Sequence, residues 1–401
     1  MTLPKPVYIV AAKRTPVGRF QGALKGASAT QLGATAVKAA VEASGVNLES
    51  IDEIIMGEVL TAGVGQAPAR QAALHAGLPK SVAATTVGKV CGSGLKSVMM
   101  ATQSIALGDS HVVVAGGQES MTNAPYLLPA ARDGMRMGNK EVVDSMMFDG
   151  LFDPYNQMPM GACAESCAKE FNISRADQDA FAAESYARAR KSIETGVFKN
   201  EICAVSVTFG KNTTVVDTDE EPGAADLSKM QGLRPAFDKE GTITAANASK
   251  INDGAAALVL ASAEAVKAQG LKPLAKVVAY GTHAQDPKWF TTAPVEAMKK
   301  ALTRAGLKAT DIDLWEINEA FALVTIAAMR ALDIPAEKVN VRGGAVAIGH
   351  PIGASGARIL TTLVHALEST GKRRGLATLC IGGGEAVALI VDREGLSVTK
   401  I

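Results

Sequence analysis

Residues Ala36–Glu58 align with Ala297–Glu319 at a constant offset of 261, without a gap. Identities fall at Ala36/Ala297, Lys38/Lys299, Ala40/Ala301, Gly45/Gly306, Ile51/Ile312, Asp52/Asp313 and Glu58/Glu319. A second echo follows in the same order, with Ser93-Gly94-Leu95-Lys96 answering Ser355-Gly356-Ala357-Arg358. Each tetrapeptide opens an apolar-periodic helix, running to Leu107 and Leu367, and each helix leads to a strand that ends in glycines and a Glu (Glu119 and Glu385). An ordered series of matches separated by one long period is the mark of duplication. Two βα-rich halves of one topology then predict an α/β protein built in layers.

Between the copies lies a stretch of another character. It has Met- and Pro-rich loops over 135–160, a helical pattern from Arg175 to Thr195 and an acidic passage over 217–226. Insertions of this kind commonly shape substrate sites. The expected organisation is a first half at 1–119, an inserted loop region at 120–246, a return to the first half at 247–271 and a second half at 272–401. With 401 residues, 47% hydrophobic and 20% charged, there is ample material for such cores.

The balance of charge excludes some functions. A formal net charge of +1 gives no overall field to attract nucleic acid or an anionic membrane. The start, with Val7-Tyr8-Ile9-Val10 before Lys13-Arg14, reads as a strand and loop rather than a signal peptide. The apolar run Ala320 to Met329 is about half of what a bilayer requires. The closing Val398-Thr399-Lys400-Ile401 is not a peroxisomal address. Five scattered cysteines (91, 163, 167, 203 and 380) match neither a disulfide framework nor a zinc pattern, so a reducing, cytoplasmic setting is expected. Cys163 and Cys167, at i and i+4, read as small core residues.

Four short motifs carry chemistry. Cys91 stands in Val90-Cys91-Gly92-Ser93-Gly94, ahead of a helix whose unpaired N–H groups and positive dipole end favour a thiolate. His350 lies in Gly349-His350-Pro351-Ile352-Gly353-Ala354-Ser355-Gly356, at the equivalent loop of the second half, where an imidazole can activate a thiol or stabilise an oxyanion. Cys380 precedes Ile381-Gly382-Gly383-Gly384 at the end of a buried strand, where backbone N–H groups suit an oxyanion. Asn318, in Asn318-Glu319-Ala320-Phe321, either caps a helix or holds a water. His75, His111, His283 and His365 have no supporting chemistry around them and read as structural or surface groups.

In this order, together with Asn247-Ala248-Ser249 and the stretch from Asn340 to Leu360, these motifs resemble the thiolase family over nearly the whole chain. Within it the likeness is to short-chain acetyl-CoA acetyltransferases. The resemblance implies two similar halves in an α-β-α-β-α arrangement with a loop domain over the site, and a homotetramer formed as a dimer of dimers. It implies reversible Claisen condensation of two acetyl-CoA to acetoacetyl-CoA and CoA, with coenzyme A thioesters as substrates and no prosthetic group. By motif, Cys91 resembles the nucleophile, His350 its base, and Cys380 the group that moves the α-proton. Asn318 resembles the residue that positions a water in one oxyanion hole with His350; the N–H groups of Cys91 and Gly382 resemble the other. Leu151, Met160 and Ser249 fall where such enzymes line the acyl and pantetheine tunnel, Phe290 is expected to close the acyl pocket, and Lys229 is expected to serve in place of an arginine that such enzymes often carry near the CoA phosphates. Tyr186 with the carbonyls of Ala245, Ala246, Ala248 and Val346 resembles a potassium site found in some members.

The chain departs from the pattern in places. Pro159-Met160-Gly161 stands where many biosynthetic members carry His-Met-Gly, the 221–226 stretch lacks a common arginine, and Arg342 and Ala386 replace a usual Asn and Gly. A broader 3-ketoacyl-CoA thiolase of fatty-acid degradation is the alternative within the fold, against which Met160 and Trp289-Phe290 favour a cramped acyl pocket. A ketoacyl synthase would need a second His in place of Asn318 and has no use for Cys380. A non-catalytic relative should have lost a reactive side chain, and all four are present.

Overall fold

In the first half the strands lie in the order Glu53–Gly57, Val112–Ser120, Asn252–Ser262, Val7–Arg14; in the second, Leu314–Ile317, Arg374–Ile381, Glu385–Asp392, Ala275–Ala284. The computed structural model that gives this order describes residues 3–396, so the closing Val398–Ile401 read above lies outside the described residues. Each run begins with a parallel pair and continues antiparallel. Each also carries the same irregularity, between Ile9 and Ala11 in one copy and between Val277 and Ala279 in the other. The two runs meet edge to edge where Val7, Tyr8 and Ile9 pair with Val277, Lys276 and Ala275. With Ala83–Val87 and the short Gly18–Arg19 added, this makes one ten-stranded sheet.

The residues shared by the two copies hold equivalent places. Gly45 and Gly306 both end a helix (Ala29–Ser44 and Ala293–Ala305) in the left-handed conformation, at φ 70° and 67°, which only glycine adopts at no cost. Asp52 accepts from the His111 and Val112 N–H groups at 2.6 and 2.9 Å. Asp313 accepts from those of Arg373 and Arg374 at 3.0 and 2.8 Å. In both halves, then, one carboxylate fixes the start of the next strand.

Packing gives five layers. The Ser93–Leu107 and Ser355–Thr370 helices lie between the two sheet regions and share one core with both, including Leu95, Met99, Val113, Leu258, Ile359, Leu363, Leu379 and Val387. The first region buries its outer face against Ala29–Ser44 and Pro68–His75. The second buries its outer face against Ala293–Ala305 and the end of Ala322–Leu332.

The inserted region packs as a third body of helices, Met160–Glu170 and Arg175–Glu194, over the ends of the strands, with Cys163 and Cys167 buried in its core. A buried ion network ties it down. Arg14 reaches Glu201 at 2.7 Å and Asp219 at 2.7 and 2.9 Å, and Arg342 reaches Glu201 at 2.9 Å. The arginine that replaces the usual Asn at 342 thus has a structural partner here.

Candidate active site

Cys91 lies between the Ala83–Val87 strand and the Ser93–Leu107 helix, on a tight turn. Val90 before it sits at φ 44°, a left-handed conformation that costs a β-branched residue about 1–3 kcal/mol. The Ser93 hydroxyl holds the turn, accepting from Lys89 N–H and donating to the Val90 carbonyl, both at 2.7 Å. The thiol is half-buried against Leu60, Met121, Met146 and Ile352. Burial pushes it up to about 11, while the N–H groups of Gly382 and of Cys91 itself pull it down. The resting group is a neutral thiol under two backbone donors.

The Ser93 and Ser355 helices cross with their backbones in contact. A Cβ at Gly94 would lie 2.8 Å from Ala357 N, and one at Gly356 would lie 2.2 Å from Leu95 N. No larger residue allows that crossing, and it draws the first turns of both helices, with the Cys91 and His350 loops, to one end of the molecule. Glu119 clamps the same place, accepting from Val59 and Leu60 N–H at 3.1 Å each and from Gly353 N–H at 2.8 Å.

His350 is buried. Burial, with Arg358 nearby, pulls its imidazole down to about 3, so it is neutral. Its tautomer follows from a proton count. Nδ1 lies 2.5 Å from Ser355 Oγ, and Oγ lies 2.8 Å from the Pro351 carbonyl. A carbonyl only accepts, so both contacts are met together when the single hydroxyl proton goes to Pro351 and Oγ accepts from Nδ1–H. Nε2 is left with its lone pair, the form a general base requires. The His350 backbone N–H is fixed by Asn252 Oδ1 at 2.9 Å.

Asn318 lies 3.4 Å from His350 Nε2 through its Nδ2, and its N–H donates to Thr378 at 3.0 Å. It caps no helix, because the next one begins at Ala322 after Phe321. Its Oδ1 is buried without a protein partner, an arrangement that calls for a water. Cys380 is buried in the core of the inserted region together with Phe290 and Phe321. Its thiol is held well above the ordinary range by burial first and by Cys91 second, so Cys380 too rests protonated. Cys91 of the first half therefore meets Gly382 and Cys380 of the second, Asn318 meets His350, and Ile352 of the His350 loop packs near Cys91.

The other expected residues divide. Met160 approaches Gly382, with its Cε 3.7 Å from where a Cβ would stand. Leu151 packs against the same small apolar cluster as Cys91, and Ser249 N–H donates to the Ala320 carbonyl beside Phe321. Phe290 packs edge-on against Phe321 at 6.4 Å. Lys229 is exposed and paired with Asp226 at 3.1 Å. At the Tyr186 cluster, Lys250 Nζ donates to the Ala248 and Val346 carbonyls at 2.7 and 3.0 Å. His365 is structural, its Nε2 2.9 Å from the Ala12 carbonyl. Sequence reasoning gave no role to Ser355, Asn252, Glu119 or Lys250. Ser355, Glu119 and Asn252 lie in segments with a recognisable pattern, and Lys250 does not.

Comparison with known proteins gives one picture. Residues 7–264 match the model of the thiolase N-terminal domain and residues 271–393 that of the thiolase C-terminal domain. The chain is 52% identical over 395 residues to an acetyl-CoA acetyltransferase of Yarrowia lipolytica, covering 98% of each. It is 53% identical over 391 residues to one of Cupriavidus necator, covering 97% of this chain and 99% of that one. Its structure is similar to that of Acat5 thiolase from Ascaris suum in complex with coenzyme A, with a TM-score of 0.93, 46% identity, and coverage of 97% of this chain and 100% of the other.

Proposed function

The chain belongs to the thiolase family, and we propose that Cys91 is the residue on which it carries the acyl group. As an acetyl-CoA C-acetyltransferase it joins two acetyl-CoA into acetoacetyl-CoA and free CoA, or reverses that reaction. The observation that carries the assignment is the placing of the Cys91 sulfur under the Gly382 and Cys91 N–H groups at a helix N-terminus. Donors within reach of the sulfur are within reach of the oxygen on the carbon it attacks.

The protonation states order the steps. His350 Nε2 takes the Cys91 proton as the sulfur attacks the acetyl carbonyl; the thiolate is never free at rest, since the thiol stands near 11 and the imidazole near 3. Cys380 begins as a thiol and gives its proton to the departing CoA sulfur, which leaves Cys380 as the thiolate. A second acetyl-CoA loses its α-proton to Cys380, and the enolate oxygen rests on Asn318's water and His350. The enolate carbon attacks the acetyl group, the Cys91 sulfur departs, and His350 returns its proton. The two anionic oxygens arise at different positions, so two donor sets are required.

Substrate and assembly follow the same reading. Leu151, Met160, Ser249 and Phe290 border the acyl and pantetheine path, and Met160 beside Gly382 leaves little length there, which favours acetoacetyl-CoA over long 3-ketoacyl-CoAs. Lys229 is free to swing from Asp226 to a CoA phosphate. The exposed apolar side chains Tyr126, Leu128, Met137, Val142, Phe148 and Tyr155 of the inserted region suit burial between subunits, in keeping with a homotetramer. Among the described residues no helix is long and apolar enough to cross a membrane, and five free cysteines favour the cytoplasm.

Intact mass after mixing with acetyl-CoA tests the division of labour. Cys380→Ala should still acquire one acetyl group, more slowly because the CoA sulfur must leave without that proton, and should fail at carbon–carbon bond formation by about 10²–10⁴-fold, the usual worth of a general acid/base. Cys91→Ala should carry none. An acetylated Cys91→Ala with an unlabelled Cys380→Ala reverses the roles.

A further inference from the structure

The residues present do not fit the potassium ion that the resemblance implies. Of the four carbonyls expected to hold it, those of Ala248 and Val346 already accept from the Lys250 ammonium, at 2.7 and 3.0 Å. The same Nζ stands 5.6 Å from the centre of the Tyr186 ring, the fifth member of the expected set. Burial pulls the Lys250 ammonium down to about 8, and buried Glu221 and Glu319 oppose that fall, so it keeps its charge at neutral pH. A free cation placed among these groups would meet the ammonium at contact distance, with like charges in a poorly hydrated space.

We propose that Lys250 is a built-in replacement for a monovalent cation: its ammonium, carried by the chain, joins the Ala248 and Val346 carbonyls that an ion would otherwise bridge. An ammonium and a potassium ion share a charge and nearly a size, and both prefer oxygen donors. The tethered group needs no binding equilibrium. Its place explains what it secures. Ala248 lies in the segment that carries Ser249 and leads to Asn252, whose Oδ1 fixes His350. Val346 lies on the short helix Ala345–Ile348, which runs directly into Gly349 and His350. The Nζ therefore joins two backbone segments that both reach the catalytic histidine, one through the Asn252 side chain and the other through the chain itself. The third donor faces the Tyr186 ring, on the Arg175–Glu194 helix of the inserted region.

The test compares full-length wild type and Lys250→Ala in potassium, sodium and tetramethylammonium chloride at matched ionic strength, reading Tm and the KM for acetyl-CoA. Wild type should give the same Tm and KM in all three salts. Lys250→Ala should lose about 2–4 °C in sodium and tetramethylammonium, with KM raised roughly tenfold, and potassium alone should restore both in a saturable way. A wild type that gains Tm or lowers its KM in potassium overturns the proposal, as does a Lys250→Ala protein that answers all three salts alike. Should Lys250→Ala not fold, Lys250→Thr takes its place in the same comparison and the wild-type response stands by itself. Because Tm does not depend on chemistry at Cys91, failure here is distinguishable from failure of the acyl-transfer assignment.

Discussion

Ser355→Ala removes one oxygen and should disable a histidine that it never replaces. In the native site Oγ accepts from His350 Nδ1–H at 2.5 Å and spends its own proton on Pro351 at 2.8 Å. Without it, the buried Nδ1–H has no partner, and an unmet buried donor costs about 1–3 kcal/mol. The imidazole can escape that cost by moving the proton to Nε2, which then has no lone pair for the Cys91 thiol. The base is present in the wrong form, or in the right form at the full penalty. Returning the proton to Nδ1 before the base can act then costs up to that amount, which corresponds to a fall of up to about 5- to 150-fold in kcat/KM for acetyl-CoA. The rate of acetyl-enzyme formation, followed by rapid quench and intact mass, should fall in step. Binding should change little, so the KM of the slow variant should stay near that of wild type. Ser355→Thr keeps the hydroxyl and should recover most of the loss, whereas a purely packing role for Ser355 would be served by Ala at least as well as by Thr. Acetylation of Ser355→Ala at the wild-type rate would refute the proton count, and with it the assignment of Nε2 as the base.

Three further outcomes follow. Because burial holds His350 near 3, kcat/KM should show no fall as pH drops through 6.5, where a free imidazole would gain its proton; an acid limb at 6.5 that disappears in His350→Gln would contradict this. The linked stability runs the same way: a folded pKa below the unfolded one gives stability that is present above 6.5 and lost as pH falls from 6.5 toward 3, because the unfolded chain takes the proton first. Denaturant midpoints across that range should therefore decline less steeply in His350→Gln. Thiolysis should favour acetoacetyl-CoA over 3-ketoacyl-CoAs of roughly eight carbons or more, since Met160 and Phe290 narrow the path and a pocket discriminates sharply against what it has no room for. Equal turnover of the longer chains would promote the broader degradative alternative.

The duplication was legible because a repeat writes the same local demands twice. Gly45 and Gly306 are alike because both helices end in a left-handed residue, and Asp52 and Asp313 because both halves pin the next strand with a carboxylate. Each reads its function from residues nearby in the chain or from a strand that the repeat itself supplies. The motifs proposed as catalytic were legible for a related reason: Cys91, His350 and Cys380 each sit where an element ends, and helix starts and glycine runs announce themselves locally. What the sequence could not display were the groups that act across long separations. Asn252 reaches His350, Glu119 reaches Gly353, and Lys250 reaches Val346, and nothing beside any of them in the chain marks the partner. Asn318 shows the limit from the other side. Its neighbours suggested a helix cap, and the choice was settled by a helix that starts later, at Ala322, leaving the amide to turn toward an imidazole thirty-two positions away.

Lys250 is the most instructive case, because its side chain is the commonest kind on a protein surface and its neighbours Ser249 and Ile251 say nothing of burial. A lysine is withdrawn from water only where carbonyls and carboxylates replace the hydration it loses. Here the carbonyls come from the return segment and the second half, the ring from the inserted region, and the carboxylates from Glu221 and Glu319. Three parts of the chain must fold together before the site exists. A cation held at such a junction stabilises the arrangement of all three at once, and by joining the two segments around His350 it connects the assembly of the fold to the geometry of the base.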